Sequence, residues 1–126
     1  MAVESGRITS IREPVLPVRL ANTVTVECVV DTGFSGALML PRNIVSDLNI
    51  PFVGKETFEL VSGHFFTASL ALAEIDWLDQ RRPVRIVISE GSDLLIGTEM
   101  LDGNRLVIDF INDQVMLTND TNPLVT

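Results

Sequence analysis

The sequence predicts an all-β domain, a small closed β-barrel with one or two short helices. Short runs of β-branched and other apolar residues recur along the chain, and in 84–88 Val84, Ile86 and Ile88 alternate with their neighbours. Gly, Pro, Asn and Asp separate these runs. Only the segments that begin at Pro41 and at Thr98 are typical of short helices. Many short strands with few helices favour a barrel.

Length limits the number of domains, and net charge limits the kinds of partner. The chain has 126 residues, which is enough for a single domain, 1–126, with a modest core. The net charge of -8 argues against a nucleic-acid or membrane partner. The polar start lacks a secretory signal, and no apolar run reaches the length of a membrane span. We therefore expect a cytoplasmic protein.

The residues that bind metals or act as nucleophiles are scarce. Cys28 is the single cysteine, so no internal disulfide can form, and its place in an apolar strand predicts a small buried side chain. His64 is the single histidine, and no serine or cysteine in a recognisable setting accompanies it. One histidine with scattered acids does not provide a metal site. We expect neither a metal nor a cofactor.

The first half of the barrel is predicted from β-branched runs and proline positions. Strands are expected over 14–20 and 23–30, joined by a turn at 21–22. Pro14 and Pro17 lack amide donors, which predicts an edge position for the first of these strands.

The later elements follow from the same signals. Phe65–Leu70 is expected to continue towards Ile75, with a charged, solvated turn over 79–82 after it. Thr98 is the expected N-cap of the second helix and Gly103 its stop. The other predicted segments are a helix from Pro41 to Leu48, a hairpin of 57–60 and 65–70 with its tip at 61–64, strands over 83–89 and 93–96, and a last hairpin of 106–110 and 114–117.

One stretch combines a strand with chemistry, Val29-Val30-Asp31-Thr32-Gly33-Phe34-Ser35-Gly36. Two valines lead into a carboxylate, a hydroxyl and a glycine, and another apolar run follows at 37–40. A strand therefore delivers Asp31 into a tight turn and a second strand leaves it. An acid in an apolar setting is costly unless it is hydrogen-bonded, paired or used in chemistry. A purely structural acid that caps the turn is the alternative.

Two segments resemble one enzyme family. Asp31-Thr32-Gly33 resembles the catalytic triplet of aspartic peptidases, and its surroundings are similar to the retroviral-like (retropepsin-like, clan AA) branch of bacteria and archaea. About sixty residues downstream, Asp93-Leu94-Leu95-Ile96-Gly97-Thr98-Glu99-Met100-Leu101 resembles the segment and short helix that brace the catalytic loop. The resemblance covers about 14–118 and implies a barrel of the acid-protease type.

The resemblance implies an aspartic endopeptidase that acts on a peptide or protein substrate. In this chemistry two carboxylates share one proton and activate a water. This chain contains a single triplet, so the resemblance implies a homodimer in which each subunit contributes one Asp31 to a site on the twofold axis. Two alternatives stay open on the same fold: a catalytically silent peptide-binding module and a dimerisation domain.

The resemblance also implies roles for the residues beside Asp31. Thr32 would hydrogen-bond across the axis and complete the catalytic triplet with Gly33, which lets the substrate backbone pass closely. Phe34 and Ser35 would contact substrate. Phe34 would shape or crowd a pocket, and Ser35 would also orient the carboxylate of Asp31.

Two more groups complete the implied site. Leu95, Ile96 and Gly97 would support the catalytic loop. Ser62-Gly63-His64 would lie at the tip of a flap that closes over an extended substrate.

The sequence departs from the viral enzymes at three positions. Ser35 stands where those enzymes carry an acid, and Thr98 stands where they carry an arginine, so the corresponding ion pair is missing. Phe34 is bulky where they have a small residue.

Overall fold

The computed structural model describes residues 1–20, 24–59 and 62–121, and the predicted turn at 21–22, Thr23 and Val61 lie outside the described residues. The prediction of an all-β domain with two short helices is confirmed. Neither helix is long and apolar enough to cross a membrane. The elements in chain order are β1 (Val3–Ile8), β2 (Pro14–Leu20), β3 (Val24–Val30), β4 (Leu38–Pro41), α1 (Arg42–Asp47), β5 (Phe52–Glu59), β6 (Phe65–Trp77), β7 (Gln80–Ser89), β8 (Leu95–Ile96), α2 (Thr98–Leu101), β9 (Arg105–Asp109) and β10 (Gln114–Thr118).

The strands form one sheet in the order β5-β6-β7-β4-β8-β3-β2-β1-β10-β9, and an added pairing of β6 with β2 bends it into a ring. Six strands, β2, β3, β8, β4, β7 and β6, make up that ring. The closing contact between β2 and β6 consists of two pairs, Arg19 with Asp76 and Leu20 with Ile75. The predicted closed barrel is therefore a ring of six strands, with β5 added on one side and β1, β10 and β9 on the other.

The ring encloses an apolar core built from alternate strand residues. In β3 the buried Cys28 and Val30 face inward, while Thr25 and Glu27 are exposed. Strands with one buried face show this alternation because successive side chains point to opposite sides. The prediction that Cys28 is a small buried side chain is confirmed. The largest fully buried apolar side chains are Leu16, Leu38, Leu40, Ile75, Ile86, Ile96, Met100 and Leu117.

The predicted edge position of β2 is wrong. β3 pairs along the whole of β2, and the other side of β2 is shared between β1 and β6. The pairs with β1 end at Val15, and those with β6 begin at Arg19. Pro17 lies between these two partners, where a missing amide donor interrupts neither ladder.

The predicted turn over 79–82 is solvated as expected, but its bounds are wrong. The turn consists of Leu78 and Asp79, which both have positive φ, and β7 begins at Gln80. Arg81 lies in that strand opposite Asp76, with its Nε 2.8 Å from a carboxylate oxygen. Local charge predicted solvent exposure correctly, but strand pairing set the length of the turn.

The ends of the second helix and of the chain differ from prediction as well. Gly97, not Thr98, is the N-cap of α2, and Thr98 is its first residue. Residues 3–8, which carried no strand prediction, form β1 and pair with both β10 and β2. The partners of β1 in β10 lie far along the chain, so no local pattern predicts that pairing.

One buried carboxylate ties β1 to two other elements. Glu4 is only 2% exposed. Its Oε2 accepts hydrogen bonds from Arg19 Nη2 at 2.7 Å and from the backbone N–H of Leu78 at 2.7 Å. A buried charge that lost these donors would be left without compensation.

Replacing Glu4→Ala is therefore expected to lower the free energy of unfolding by about 2–4 kcal/mol, because the Leu78 N–H would lose its acceptor. Glu27 provides the matched control, since it pairs with Arg7 at 3.1 Å on an exposed surface. Glu27→Ala should cost less than about 1 kcal/mol. Urea unfolding of both variants is the measurement, and equal losses would contradict the assigned role of Glu4.

Candidate active site

Asp31 lies at the point where β3 leaves the sheet. Its backbone N–H donates to the carbonyl of Ile96 at 2.9 Å, which continues the ladder between β3 and β8 by one bond. Its own carbonyl accepts from the N–H of Phe34 at 3.1 Å and closes a tight turn. Main-chain bonds therefore fix the position of Asp31 on both sides.

The carboxylate of Asp31 is half-buried and oriented by its own turn. One oxygen, Oδ1, accepts a hydrogen bond from the N–H of Gly33 at 2.9 Å. Within residues 1–20, 24–59 and 62–121, no basic side chain forms an ion pair with Asp31. Thr32 and Gly33 beside it are exposed. The carboxylate thus faces solvent with an oxygen available for a reactant or a second acid.

The second predicted motif, which contains β8, packs against this turn. β8 runs between β3 and β4, parallel to β3 at Val29–Leu95 and antiparallel to β4 at Leu38–Ile96. The N–H groups of the following residues 97, 98 and 99 donate to the carbonyls of residues 37, 34 and 36 at 2.8, 2.8 and 3.2 Å. Together with the Asp31–Ile96 bond, these main-chain bonds put the two predicted motifs in direct contact.

Gly97 permits this contact because it has no side chain. A Cβ at residue 97 would lie 2.0 Å from the carbonyl oxygen of Gly36 and 2.6 Å from that of Phe34. Distances below 3.0 Å between such atoms require the backbone to move. Leu95 and Ile96, the other two supporting residues of the prediction, form β8.

Phe34 is accommodated beside the turn. Its ring lies against Gly36 and Gly97, where an added Cβ would come within 2.6 and 2.7 Å of ring atoms. The ring also packs, with Met39 and Phe58, against a small second cluster of Ala68, Leu70 and Val87. The Phe34 ring thus fits because two glycines leave space for it and an apolar cluster packs against it.

Ser35 opens onto a small cleft of about 120 Å³ next to the Asp31 turn. No hydrogen bond joins Ser35 to Asp31 within the described residues, so its predicted orienting role stays a prediction. The other residues that line the cleft, which the sequence analysis did not single out, are Gly36, Ala37, Glu56, Phe58, Leu70, Arg85, Val87 and Glu99. The alternation of 84–88 placed Arg85 and Val87 on one face, but it did not say which cleft that face borders.

The predicted flap is a hairpin of β5 and β6. We call residues 57–59 and 62–67, its described outer part, the flap hairpin. Its strands are joined by a Thr57–Thr67 hydroxyl contact of 3.0 Å and by stacked Phe58 and Phe66 rings whose centroids lie 5.2 Å apart. At the tip Gly63 has φ +85°, a conformation that suits glycine.

The exposed tip of the flap hairpin contains one internal contact. Ser62 Oγ and His64 Nδ1 lie 3.2 Å apart. Ser62, Gly63 and His64 are all exposed, so no core packing restrains them. Contacts among the outer strands, not burial, hold this hairpin together.

Comparison with solved structures identifies the architecture. A retropepsin-like aspartic protease from Rickettsia conorii superposes with a TM-score of 0.66 and 17% identity, covering 93% of this chain and 94% of that chain. The fold is that of the retropepsin-like aspartic proteases. EIAV protease, solved with the inhibitor HBY-793, matches at a TM-score of 0.58 and 15% identity, over 74% of this chain and 88% of that one.

Two further proteins are similar to this chain, one in structure and one in sequence. Simian foamy virus protease superposes with a TM-score of 0.51 and 11% identity, over 71% of this chain and 92% of that chain. An uncharacterized protein of Archaeoglobus fulgidus is 29% identical over 102 residues, which are 77% of this chain and 80% of that one. No family model matches the sequence.

A larger cleft of this retropepsin-like domain lies away from Asp31. It measures about 520 Å³ and borders Leu20 and Val24 at the opposite end of β3. Val24 and Asp31 are seven residues apart on an extended strand, roughly 23 Å. Cleft volume alone would therefore not indicate the position of Asp31.

Neither a reactive thiol nor a three-residue metal cluster occurs in the part of the chain that the structure describes. Burial raises the pKa of the Cys28 thiol to about 12, so it is held in the unreactive form. Across the described ranges, no three His, Cys, Asp or Glu side chains lie close enough to hold a metal ion. Asp31, by contrast, has an accessible carboxylate that the N–H of Gly33 holds in place.

The close approach at Gly97 can be tested by adding one methyl group. Gly97→Ala should lower the free energy of unfolding by about 2–3 kcal/mol, because two carbonyl oxygens occupy the space of the new Cβ. Gly91→Ala is the matched control, since its Cβ would meet side-chain atoms at 3.5 and 3.6 Å. Thermal unfolding compares them, and equal stability of the two variants would contradict the close packing.

Proposed function

We propose that this chain belongs to the retropepsin-like family and is an aspartic endopeptidase that works as a homodimer. The observation that carries the proposal is the placement of Asp31 at the accessible end of β3, on a turn that the second motif braces through three main-chain bonds. The likeness of the fold to that of EIAV protease, which was solved with an inhibitor, supports it. The substrate class is a peptide or protein.

A single Asp31 requires a partner for this reaction. In the dimer one carboxylate, in its charged form, takes a proton from a water that attacks the peptide carbonyl. The other carboxylate, protonated, polarises that carbonyl, and a proton then passes to the leaving amine. Two like charges a few ångströms apart cannot both form cheaply, so the pair holds one proton between its two members.

The neighbouring residues take roles that follow from their places. Gly33 holds the carboxylate through its N–H, and Thr32, exposed beside it, contacts the other subunit. Ser35 borders the cleft that receives substrate side chains, and Phe34 packs against Leu70 and Val87, which line the same cleft. The flap hairpin closes over the extended peptide and excludes water. With a net charge of -8 and one buried cysteine, we propose the cytoplasm as its compartment.

Asp31→Asn tests the chemistry directly. The amide can neither take nor give the proton, so peptide cleavage should fall by about a thousandfold or more, while the variant still folds and dimerises. His64→Ala is the control, because a flap-tip side chain should affect turnover only mildly. Cleavage at a near wild-type rate by Asp31→Asn would move the site elsewhere.

A statine peptide, which carries a hydroxyl in place of the scissile carbonyl, distinguishes the alternatives. An active peptidase should bind it at least about a hundredfold more tightly than the matching substrate. A silent peptide-binding module should bind both equally, and a dimerisation domain should bind neither. Isothermal titration calorimetry measures the affinity for both peptides and so distinguishes these three cases.

The flap hairpin can be tested at its tip. Gly63 has φ +85° with open space around it, so Gly63→Val strains the backbone and should reduce turnover strongly with a small change in melting temperature. Gly103→Val is the matched control, because Gly103 has φ +78° and equally open surroundings outside the flap hairpin. Full activity of Gly63→Val, or equal losses in both variants, would show that this hairpin is not a lid.

A further inference from the structure

One face of strands β5, β6 and β7 borders the turn that follows β3. Directly paired residues of antiparallel strands share a face, so Glu56 lies beside Ala68, and Leu70 lies beside Val87. Ala68 and Leu70 are two residues apart in β6 and therefore point to the same side. Phe34, from the turn itself, packs against the cluster that contains Leu70 and Val87. Glu56 is thus on the face that borders this turn.

The cleft of about 120 Å³ on this face is lined by three charged side chains, Glu56, Arg85 and Glu99. Arg85 lies two residues before Val87 in β7 and so shares its face. Glu99 comes from α2, and its backbone N–H donates to the carbonyl of Gly36 at 3.2 Å. Strand pairing and this bond therefore hold the backbone beneath each of the three charges.

These three charges have no ionic partner within the chain. No ion pair between residues of the described ranges 1–20, 24–59 and 62–121 includes Glu56, Arg85 or Glu99. All three residues are exposed. Two carboxylates against one guanidinium give the cleft a net negative charge, and both carboxylates are available to a ligand.

The size and walls of the cleft favour one long basic side chain. Sites for drug-sized ligands measure about 300–1,000 Å³, so a cleft of about 120 Å³ admits a single side chain. Phe58, Leu70 and Val87 provide apolar walls against which a methylene stem can pack while its charged end reaches the carboxylates. An acidic side chain would meet two like charges for one opposite charge. An apolar side chain would desolvate the charges without compensation.

We propose that this cleft selects a lysine or arginine side chain of the peptide substrate, and that Glu56 and Glu99 determine this specificity. The inference rests on the proposed function, because it assigns the cleft beside Asp31 to the peptide that Asp31 cleaves. Glu56 and Glu99 contact the substrate side chain and take no part in proton transfer. Arg85 weakens the preference, since it repels a basic side chain.

Peptides that differ only in one side chain measure the preference. A library in which each position in turn carries lysine, glutamate or uncharged norleucine locates the position whose side chain enters the cleft. At that position kcat/KM for lysine should exceed that for norleucine by about fivefold at low salt, and glutamate should be the poorest of the three. The lysine preference should vanish at about 1 M salt, where the screening length is about 3 Å.

Variants of the cleft should change this preference in opposite directions. Glu56→Gln and Glu99→Gln should each lower the ratio of kcat/KM for lysine to that for norleucine by about twofold or more, with the norleucine peptide little affected. The double variant keeps only Arg85 and should prefer glutamate to lysine. Arg85→Gln should raise the lysine preference. A merely structural defect would lower the rates for all three peptides together.

Glu74→Gln is the matched control. It removes the same charge from an exposed position of β6 that borders the larger cleft. Glu74 is six residues along β6 from Ala68, the partner of Glu56, which is roughly 20 Å and beyond the screening length of about 8 Å at physiological salt. Its ratio of lysine to norleucine cleavage should equal that of the wild type.

The two proposals fail separately. If the wild type cleaves peptides without a lysine preference at any position, or if Glu56→Gln and Glu99→Gln both keep that preference, the cleft does not select a basic side chain and the peptidase function stands. An equal loss of preference in Glu74→Gln would trace it to the charge of the whole chain and also overturn the inference. If the wild type cleaves no peptide and does not prefer the statine peptide, the peptidase function fails and the specificity fails with it.

Discussion

A single close approach of backbone to backbone, at Gly97, sets the shape of the site. The N–H groups of 97–99 bond to carbonyls of 34–37, and this is possible only because no side chain stands between them. Buried polar groups must find partners, so the two segments satisfy each other where water is excluded. The turn that carries Asp31 is therefore shaped mainly by main-chain bonds. Phe34, although bulky, fits because it lies on Gly36 and Gly97.

The proposed homodimer would place the Asp31 turn of each chain at its axis. Under the proposed function, assembly and catalysis depend on the same contact, and activity depends on protein concentration by mass action. A monomer would keep a folded core and an oriented Asp31, because the main-chain bonds between 97–99 and 34–37 lie within one chain. What it would lack is the second carboxylate, so the free subunit would be stable but inactive.

Local patterns predicted most elements and misplaced a few for identifiable reasons. The strands 14–20 and 83–89, the Asp31 turn and the last hairpin follow from β-branched runs and turn residues. The edge position inferred from Pro17 failed because β2 has two partners on one side. β1 was missed because its partners lie up to 115 residues away, between Val3 and Thr118. Local sequence signals predict which segments form strands, but they do not predict which strands pair.

By itself, the sequence determined the all-β class, the strand that delivers Asp31 and the family that its two motifs resemble. The tertiary structure decided how those motifs meet, with β8 inserted between β3 and β4. It also decided that Phe58, Leu70 and Val87 border the cleft. The physical reason is that periodicity tells which face of a strand is buried, while hydrogen-bond register between distant segments decides what that face is buried against.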